Sequence, residues 1–316
     1  MSFAIRTAFL LAACSLSLFA QTYNFQAFSV PHPANNATSA WGIDNRGAIA
    51  GFFSFAVLDS HGNVVPANRG FKRDANGVFE YPIIAPTDDT HTTIATGIDD
   101  SGTIVGYSFD QQNNFHGFLL TGGKHGDFTT IDEPPGPSTW VFGINNLGDF
   151  AGATGPGLPL HGFVSRSGIV TQIDFPGALG TEANAVASDG TVIGCYGTAS
   201  GAFAFLRGPK GNFLGLQVAG AAQTCALGIS NEAGIIVGYY RDSSNGYHGI
   251  VYNYVADLAV RGDGASGSAR SVPVEVIDYP GAIQTELTGI NAQGVIAGWA
   301  QPAKGYGFSF IATPVR

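Results

Sequence analysis

Charge is what this sequence has least of. Asp, Glu, Lys and Arg make up only 12% of its 316 residues, about half the share usual in a soluble domain. There is no run of Lys or Arg, and the net charge is −9 at pH 7, so the basic patch that nucleic acid or an anionic lipid surface requires is missing. Cysteine is nearly absent too, at three residues, which excludes a small disulfide-stapled scaffold. A chain of this length buries roughly three quarters of its unfolded surface without staples. No long amphipathic helical period runs through it. Gly-x-Ser-x-Gly, His-Glu-x-x-His, phosphate-loop and sialidase-type Asp-box patterns do not occur either, so no cofactor, metal or catalytic residue is assigned.

What is plentiful is glycine, at 45 residues, about twice its usual share. With abundant Phe, this points to many short strands joined by tight turns. The first twenty residues read as an export signal: Arg6 is the positive flank and Ala8 to Phe19 form an apolar stretch too short to span a bilayer. Two cleavage sites compete. Leu11-Ala12-Ala13-Cys14 resembles a lipobox, which would make Cys14 a lipidated N-terminus. The apolar run continues through Leu16, Leu18 and Phe19, however, which favours cleavage after Ala20 to leave Gln21 first. The expectation is a secreted or periplasmic protein with no transmembrane segment in its mature chain.

One phrase recurs six times. It stands at Gly42–Gly51, Gly97–Gly106, Gly143–Gly152 and Gly289–Gly298, with looser copies at Ala185–Gly194 and Gly228–Gly238. Its central turn glycines, Gly47, Gly102, Gly148, Gly190, Gly234 and Gly294, are spaced 55, 46, 42, 44 and 60 residues apart. That is the length of a four-stranded propeller blade. Strand A is the stretch around Thr-x-Ala-x-Gly-Ile and strand B the Ile-Val-Gly-Tyr stretch, with an Asn/Asp and Gly hairpin between them. Strand C carries His116-Gly117-Phe118, His161-Gly162-Phe163 or His248-Gly249-Ile250. Strand D carries Ile131-Asp132, Ile173-Asp174 or Ile277-Asp278. The mature chain opens with a lone D-like strand, Tyr23–Val30, and its sixth repeat stops at strand C, Tyr306–Ile311. Pairing these two would complete a six-bladed, closed, all-β propeller as one domain over 21–316, and would remove the exposed edges of an open array.

Three linked phrases, His116 to Leu119, Phe128 to Gly136 and Gly143 to Gly152, resemble the bacterial extracellular family of HAF repeats. The resemblance spans nearly the whole mature chain. It implies an exported repeat protein of propeller type, and it brings no catalytic residues.

Every repeat has a threonine at one position: Thr38, Thr93, Thr139, Thr181, Thr224 and Thr285. Hydroxyls demanded at every blade serve folding before function, and here they are expected to bond backbone where strand A begins. His116, His161 and His248 stand too far apart around a ring to share a metal, so each is expected to cap a local backbone group. Asp132, Asp174 and Asp278 read as turn formers. Cys195 and Cys225 fall on the same face of neighbouring blades; a bridge and a pair of free thiols are both open. Arg261-Gly262-Asp263 lies in a Gly/Ser-rich insertion, about 256–271, that is expected to be flexible.

Function is expected where loops are irregular, on the face built by the D–A and B–C crossings. The D–A crossings are Pro31–Ser39, Ala85–Thr92, Pro134–Thr139 and Phe175–Thr181, and Phe53–Asn68 is the longest B–C loop. His91, Trp140, Glu182 and Glu286 are the candidate binding residues there. The two Glu residues, two blades apart, are expected to be wider apart than a glycosidase pair. A monomeric, non-enzymatic binding or scaffold module for an extracellular carbohydrate or protein is the first reading. A polysaccharide hydrolase or lyase is the second.

Overall fold

In the computed structural model, residues 22–315 are described, apart from 35, 59–61, 135, 158 and 262–268. The export signal, Cys14, Gln21 and the Gly262-Asp263 part of the basic-acidic triplet lie outside the described residues. The chain is all-β, an array of antiparallel sheets with one short helix. The first sheet orders β2 (Ala37–Ile43), β3 (Ile49–Leu58), β4 (Val64–Arg73) and β5 (Phe79–Ile83). The second runs β6 (Thr93–Ile98), β7 (Ile104–Phe109), β8 (Phe115–Thr121) and β9 (Asp127–Ile131). The third runs β10 (Ser138–Ile144), β11 (Phe150–Gly155), β12 (His161–Arg166) and β13 (Ile169–Ile173). In the second sheet burial falls from first strand to last: all of β6 is buried, whereas no residue of β9 is. Strand A is therefore the innermost of its sheet and strand D the outermost.

The later sheets depart from six equal units. The fourth orders β14 (Gly180–Val186), β15 (Val192–Thr198), β16 (Gly201–Arg207) and β17 (Phe213–Gln217), and then gains a parallel fifth strand. That strand, β21 (Ala269–Ser271), comes from the insertion, which also forms a helix, α1 (Tyr254–Arg261). Tyr254 is buried and donates its hydroxyl to Asn231 Oδ1 at 2.7 Å. The described parts of the insertion are thus a helix and a short strand, and residues 262–268 lie outside the described residues. The fifth and sixth repeats share one eight-stranded sheet of β18 (Gln223–Ser230), β19 (Ile235–Arg241), β20 (Tyr247–Asn253), β23 (Ala282–Ile290), β24 (Ile296–Pro302), β25 (Phe308–Pro314) and β1 (Tyr23–Phe28), with β22 (Glu275–Val276) on β20. The join is a single parallel bridge, Tyr247 to Gln284. It forms because β23 starts early, while β22, the fifth repeat's strand D, is cut to two residues.

β1 pairs antiparallel with β25, from Tyr23 opposite Pro314 to Phe28 opposite Ser309. Its partner therefore lies a few residues beyond the expected 306–311. The first repeat packs directly on the last: Thr288 Oγ1 donates to Ala40 O at 3.0 Å and Ser309 Oγ to Thr38 O at 3.0 Å. Much of the expected Phe53–Asn68 loop is strand: Phe53–Leu58 lies in β3 and Val64–Asn68 in β4, each ten residues long.

The repeated glycines have two separate duties. The turn glycines, such as Gly47 and Gly102, have φ of 84° and 85°, where a side chain is strained. The strand-A glycines allow close backbone approach instead. A Cβ on Gly42 would lie 2.7 Å from Gly97 Cα, and one on Gly289 would lie 2.5 Å from Trp41 O. In every repeat the A–B register also slips just before this position, between Ala40 and Gly42 and between Ala95 and Gly97, for example. Each slip is a bulge that re-aims one side chain.

Candidate binding site at the mouth of the passage

The six A strands border a common passage. Its middle, a cavity of about 80 Å³, is lined by the bulge residues Trp41, Thr96, Phe142, Asn184, Leu227 and Thr288 with the adjacent glycines. At the A–B turn end the walls are hydrogen-bonded to one another. Ala292 N–H donates to Asn45 Oδ1 at 2.8 Å, Asn45 N–H to Asp100 Oδ1 at 2.8 Å, and Asn146 Nδ2 to Asp100 Oδ2 at 2.8 Å. This end uses its polar groups on itself.

The repeated threonines are buried latches. Backbone N–H groups of Val30, Ala85, Glu133, Phe175, Val218 and Tyr279 donate to Thr38, Thr93, Thr139, Thr181, Thr224 and Thr285 Oγ1, at 2.8 to 3.1 Å. All six are at most 1% exposed. Each ties the end of one D strand to the start of the next A strand, so none presents a hydroxyl to a ligand.

The next residue along is different in kind from repeat to repeat: Ser39, Ile94, Trp140, Glu182, Cys225 and Glu286. Across the ladder, Ile94 faces Tyr107, Glu182 faces Cys195, Cys225 faces Tyr239 and Glu286 faces Trp299. Glu182 and Glu286 have no hydrogen-bond or ion-pair partner among the described residues. Burial raises both carboxyls, and pushes Glu286 up to about 7. Their fields converge. Tyr107 is pushed up to about 12 by burial and then by the Glu182 charge. Tyr239 is raised by burial, then by Glu286, and further by Tyr247 and Glu182. Glu182 is thus felt by tyrosines of the second and fifth repeats alike. Trp140 lies against Phe115, ring centres 4.2 Å apart, and Phe115 reaches Tyr107 at 5.9 Å.

Of the four candidate residues, three belong to this ring. His91 does not. It sits at φ 63° in the crossing between β5 and β6, where its Nδ1 lies 3.1 Å from Arg69 Nη2 and its carbonyl accepts from Asn68 N–H. Arg69 in turn pairs with buried Asp88 at 2.8 Å, which holds His91 against β4, the third strand of the first sheet. The strand-C histidines bond carboxylates rather than backbone. His116 reaches Asp132 at 2.8 Å and Asp110 at 3.3 Å, His161 reaches Asp174 at 3.1 Å, and His248 reaches Asp278 at 2.7 Å and Asp242 at 3.4 Å. Cys195 and Cys225 form a disulfide, Cα atoms 5.3 Å apart, with Asn184 Nδ2 donating toward both sulfurs. No three His, Cys, Asp or Glu side chains among the described residues are grouped to hold a metal ion.

Tyr107, Tyr239 and Trp299 were missed from sequence. A signal for them exists: each directly follows the strand-B glycine, at Gly106, Gly238 and Gly298, and Phe52 follows Gly51 in the same way.

No protein-family model matches the chain, and no curated protein matches it. Among solved structures it is similar to a streptogramin B lyase, at 12% identity and TM-score 0.44, over 93% of this chain and 98% of that one. It is also similar to YCF48 bound to D1 peptide, at 9% identity and TM-score 0.43, over 94% and 99%. A third is the Aleuria aurantia lectin in complex with Fucα1-6GlcNAc, at 11% identity and TM-score 0.38, over 95% and 96%. Likenesses at these values carry no argument about what this chain binds or catalyses.

Proposed function

We propose that the six repeats form a closed six-bladed propeller and that the protein is an exported, monomeric, HAF-type module that binds an extracellular carbohydrate or protein without turning it over. The hydrogen bonds from the sixth repeat to Ala40 and Asn45, and the pairing of β1 with β25, support the ring. One observation carries the binding reading: the ring position after each threonine latch varies. Every repeat repeats its threonine latch, turn glycine and A–B bulge, whereas the position holding Trp140, Glu182 and Glu286 carries side chains of different character. Rigid repeats that carry variable side chains around a passage present a ligand surface.

A hydrolase or lyase reading draws on the raised carboxyls, which is how general acids are tuned. It lacks a second group. No described His, Lys, Arg or Asp lies within hydrogen-bond reach of Glu182 or Glu286, so neither has a proton relay or an orienting partner. The test is a glycan and peptide array probed with the exported protein and with Trp140→Ala. Binding that this variant loses, with melting temperature unchanged, supports the mouth. Product release from a bound glycan would favour the enzyme. Mass spectrometry of the exported protein tests the N-terminus, expected at Gln21; a lipidated Cys14 would overturn that.

A further inference from the structure

Two carboxyl groups without partners in a half-dry mouth are an unfinished electrostatic arrangement. Leaving a carboxylate desolvated and unpaired is costly, and folded proteins ordinarily pair it or bond it. Arg69 is held by Asp88, and Arg241, two residues beyond Tyr239 on β19, gives its Nη1 to Asn245 Oδ1 at 3.0 Å; the Arg241 charge reaches Tyr239 but pairs with neither carboxyl. No Lys or Arg pairs with Glu182 or Glu286 among the described residues. Trp140 shares their ring position, and Tyr107, Tyr239 and Trp299 stand across the ladder from it, all only partly buried. Carboxylate plus aromatic face is a combination that suits a cation.

The rim narrows the class of partner. Leu179 and Ile283 stand at the same place in their repeats, three residues before Glu182 and Glu286, and are 63% and 55% exposed. Tyr306, on the B–C crossing of the sixth repeat, is 67% exposed. Exposed aliphatic groups around a charged centre fit a polypeptide, in which a basic residue has apolar neighbours; a hydroxyl-covered sugar offers such a rim little. Below the ring lies the cavity of about 80 Å³ between the bulge residues, which suits an unbranched side chain entering end-on.

We propose that this mouth takes the Arg or Lys side chain of a protein partner, the cation lying between Glu182 and Glu286 and the flanking apolar residues resting on Leu179, Ile283 and Tyr306. The proposal rests on the mouth being the binding site. The test uses four probes, acetyl-Leu-Ser-Xaa-Ser-Leu amide with Arg, Lys, citrulline or Glu at the centre, titrated calorimetrically into the exported full-length protein. Arg and Lys peptides should bind about tenfold or more tighter than citrulline, as for a close charge pair, and Glu should bind least. The Glu182→Gln/Glu286→Gln double variant should bring Arg and citrulline level, and Trp140→Ala should weaken all four. Equal affinity for Arg and citrulline, a preference that survives the double variant, or no binding of any peptide overturns the proposal. A glycan that binds, is lost with Trp140→Ala and is indifferent to the Gln changes would sink the basic-side-chain claim while leaving the mouth intact. Binding indifferent to Trp140 and both Glu residues would sink the mouth itself.

Discussion

His116 Nδ1 lies 2.8 Å from Asp132 Oδ1, sixteen residues on, because Gly117 stands opposite Ile131 in the β8–β9 ladder. The same pair recurs as His248 with Asp278. It links the strand-C and strand-D phrases of the repeat, so each phrase depends on the other. Burial alone would lower these two imidazoles, but hydrogen bonds and charge from the aspartates outweigh it and raise both. A raised histidine adds stability that is fully present below its unfolded value, about 6.5, and lost as pH rises through the folded one. His116→Ala/His248→Ala should therefore lower the melting temperature more at pH 5.5 than at pH 8.5. Asp132 is 56% exposed, so screening holds the difference to about a degree or two. An equal loss at both pH values would show that the charge contributes nothing.

Glu286 has a pH dependence of the same sign, with a different cause. Its carboxyl, pushed by burial to about 7 from its ordinary 4.5, favours the folded state below pH 4.5, and that advantage fades as pH climbs to 7. Above 7 the buried charge costs up to about 3 kcal/mol relative to a neutral side chain. Glu286→Gln should raise stability at pH 8 and flatten the pH profile between 4.5 and 7 in urea titrations. A variant less stable than the parent at pH 8 would mean that the ionised carboxylate is satisfied after all.

The threonine latches make a sharper mutational contrast. Thr181→Val keeps the shape but leaves the Phe175 N–H, 2.9 Å from the lost oxygen, buried without an acceptor, at a cost of about 1–3 kcal/mol. Thr181→Ser keeps the acceptor and should cost less. Chemical denaturation of the two variants side by side checks the order; Val equal to or above Ser would remove the latch.

Deleting residues 21–31 takes away β1 and the Val30 N–H that donates to Thr38. β25 then becomes an open edge, with Phe310 uncovered on the side where Phe25 packs at 5.5 Å. The truncated protein should melt lower and aggregate. Unchanged solubility and unfolding would refute closure by this strand.

Cys195 and Cys225, separated by 30 residues, join two neighbouring repeats beside Glu182. Closing a loop of that length stabilises by about 3–4 kcal/mol in the chain-entropy account. Unreduced protein should show no free thiol from this pair, and reduction should lower the melting temperature by several degrees. Two reactive thiols in unreduced, folded protein would contradict the bridge.

The repeats, their turns and their strands were legible in the sequence because the forces that form them act within a few residues. Asp44 Oδ1 accepts from the N–H groups of Arg46 and Ala48, and Asp99 and Asn291 do the same in their own turns. Such a motif carries its reason within itself. Trp140, Glu182 and Glu286 could be placed on the mouth by counting along strand A from the threonine. What surrounds them could not, since Glu182 is felt by Tyr107 and Tyr239, which lie in other repeats and meet it only across the passage. The partners of His91 were hidden too, because Arg69 on β4 and Asp88 in the β5–β6 crossing meet it only in the folded chain. The merging of the fifth and sixth repeats was hidden for a similar reason: one bridge, Tyr247 to Gln284, leaves no mark in either segment. Local hydrogen-bond geometry was written in the chain, whereas desolvation and the charge field at the mouth are sums over residues that only the tertiary structure brings together.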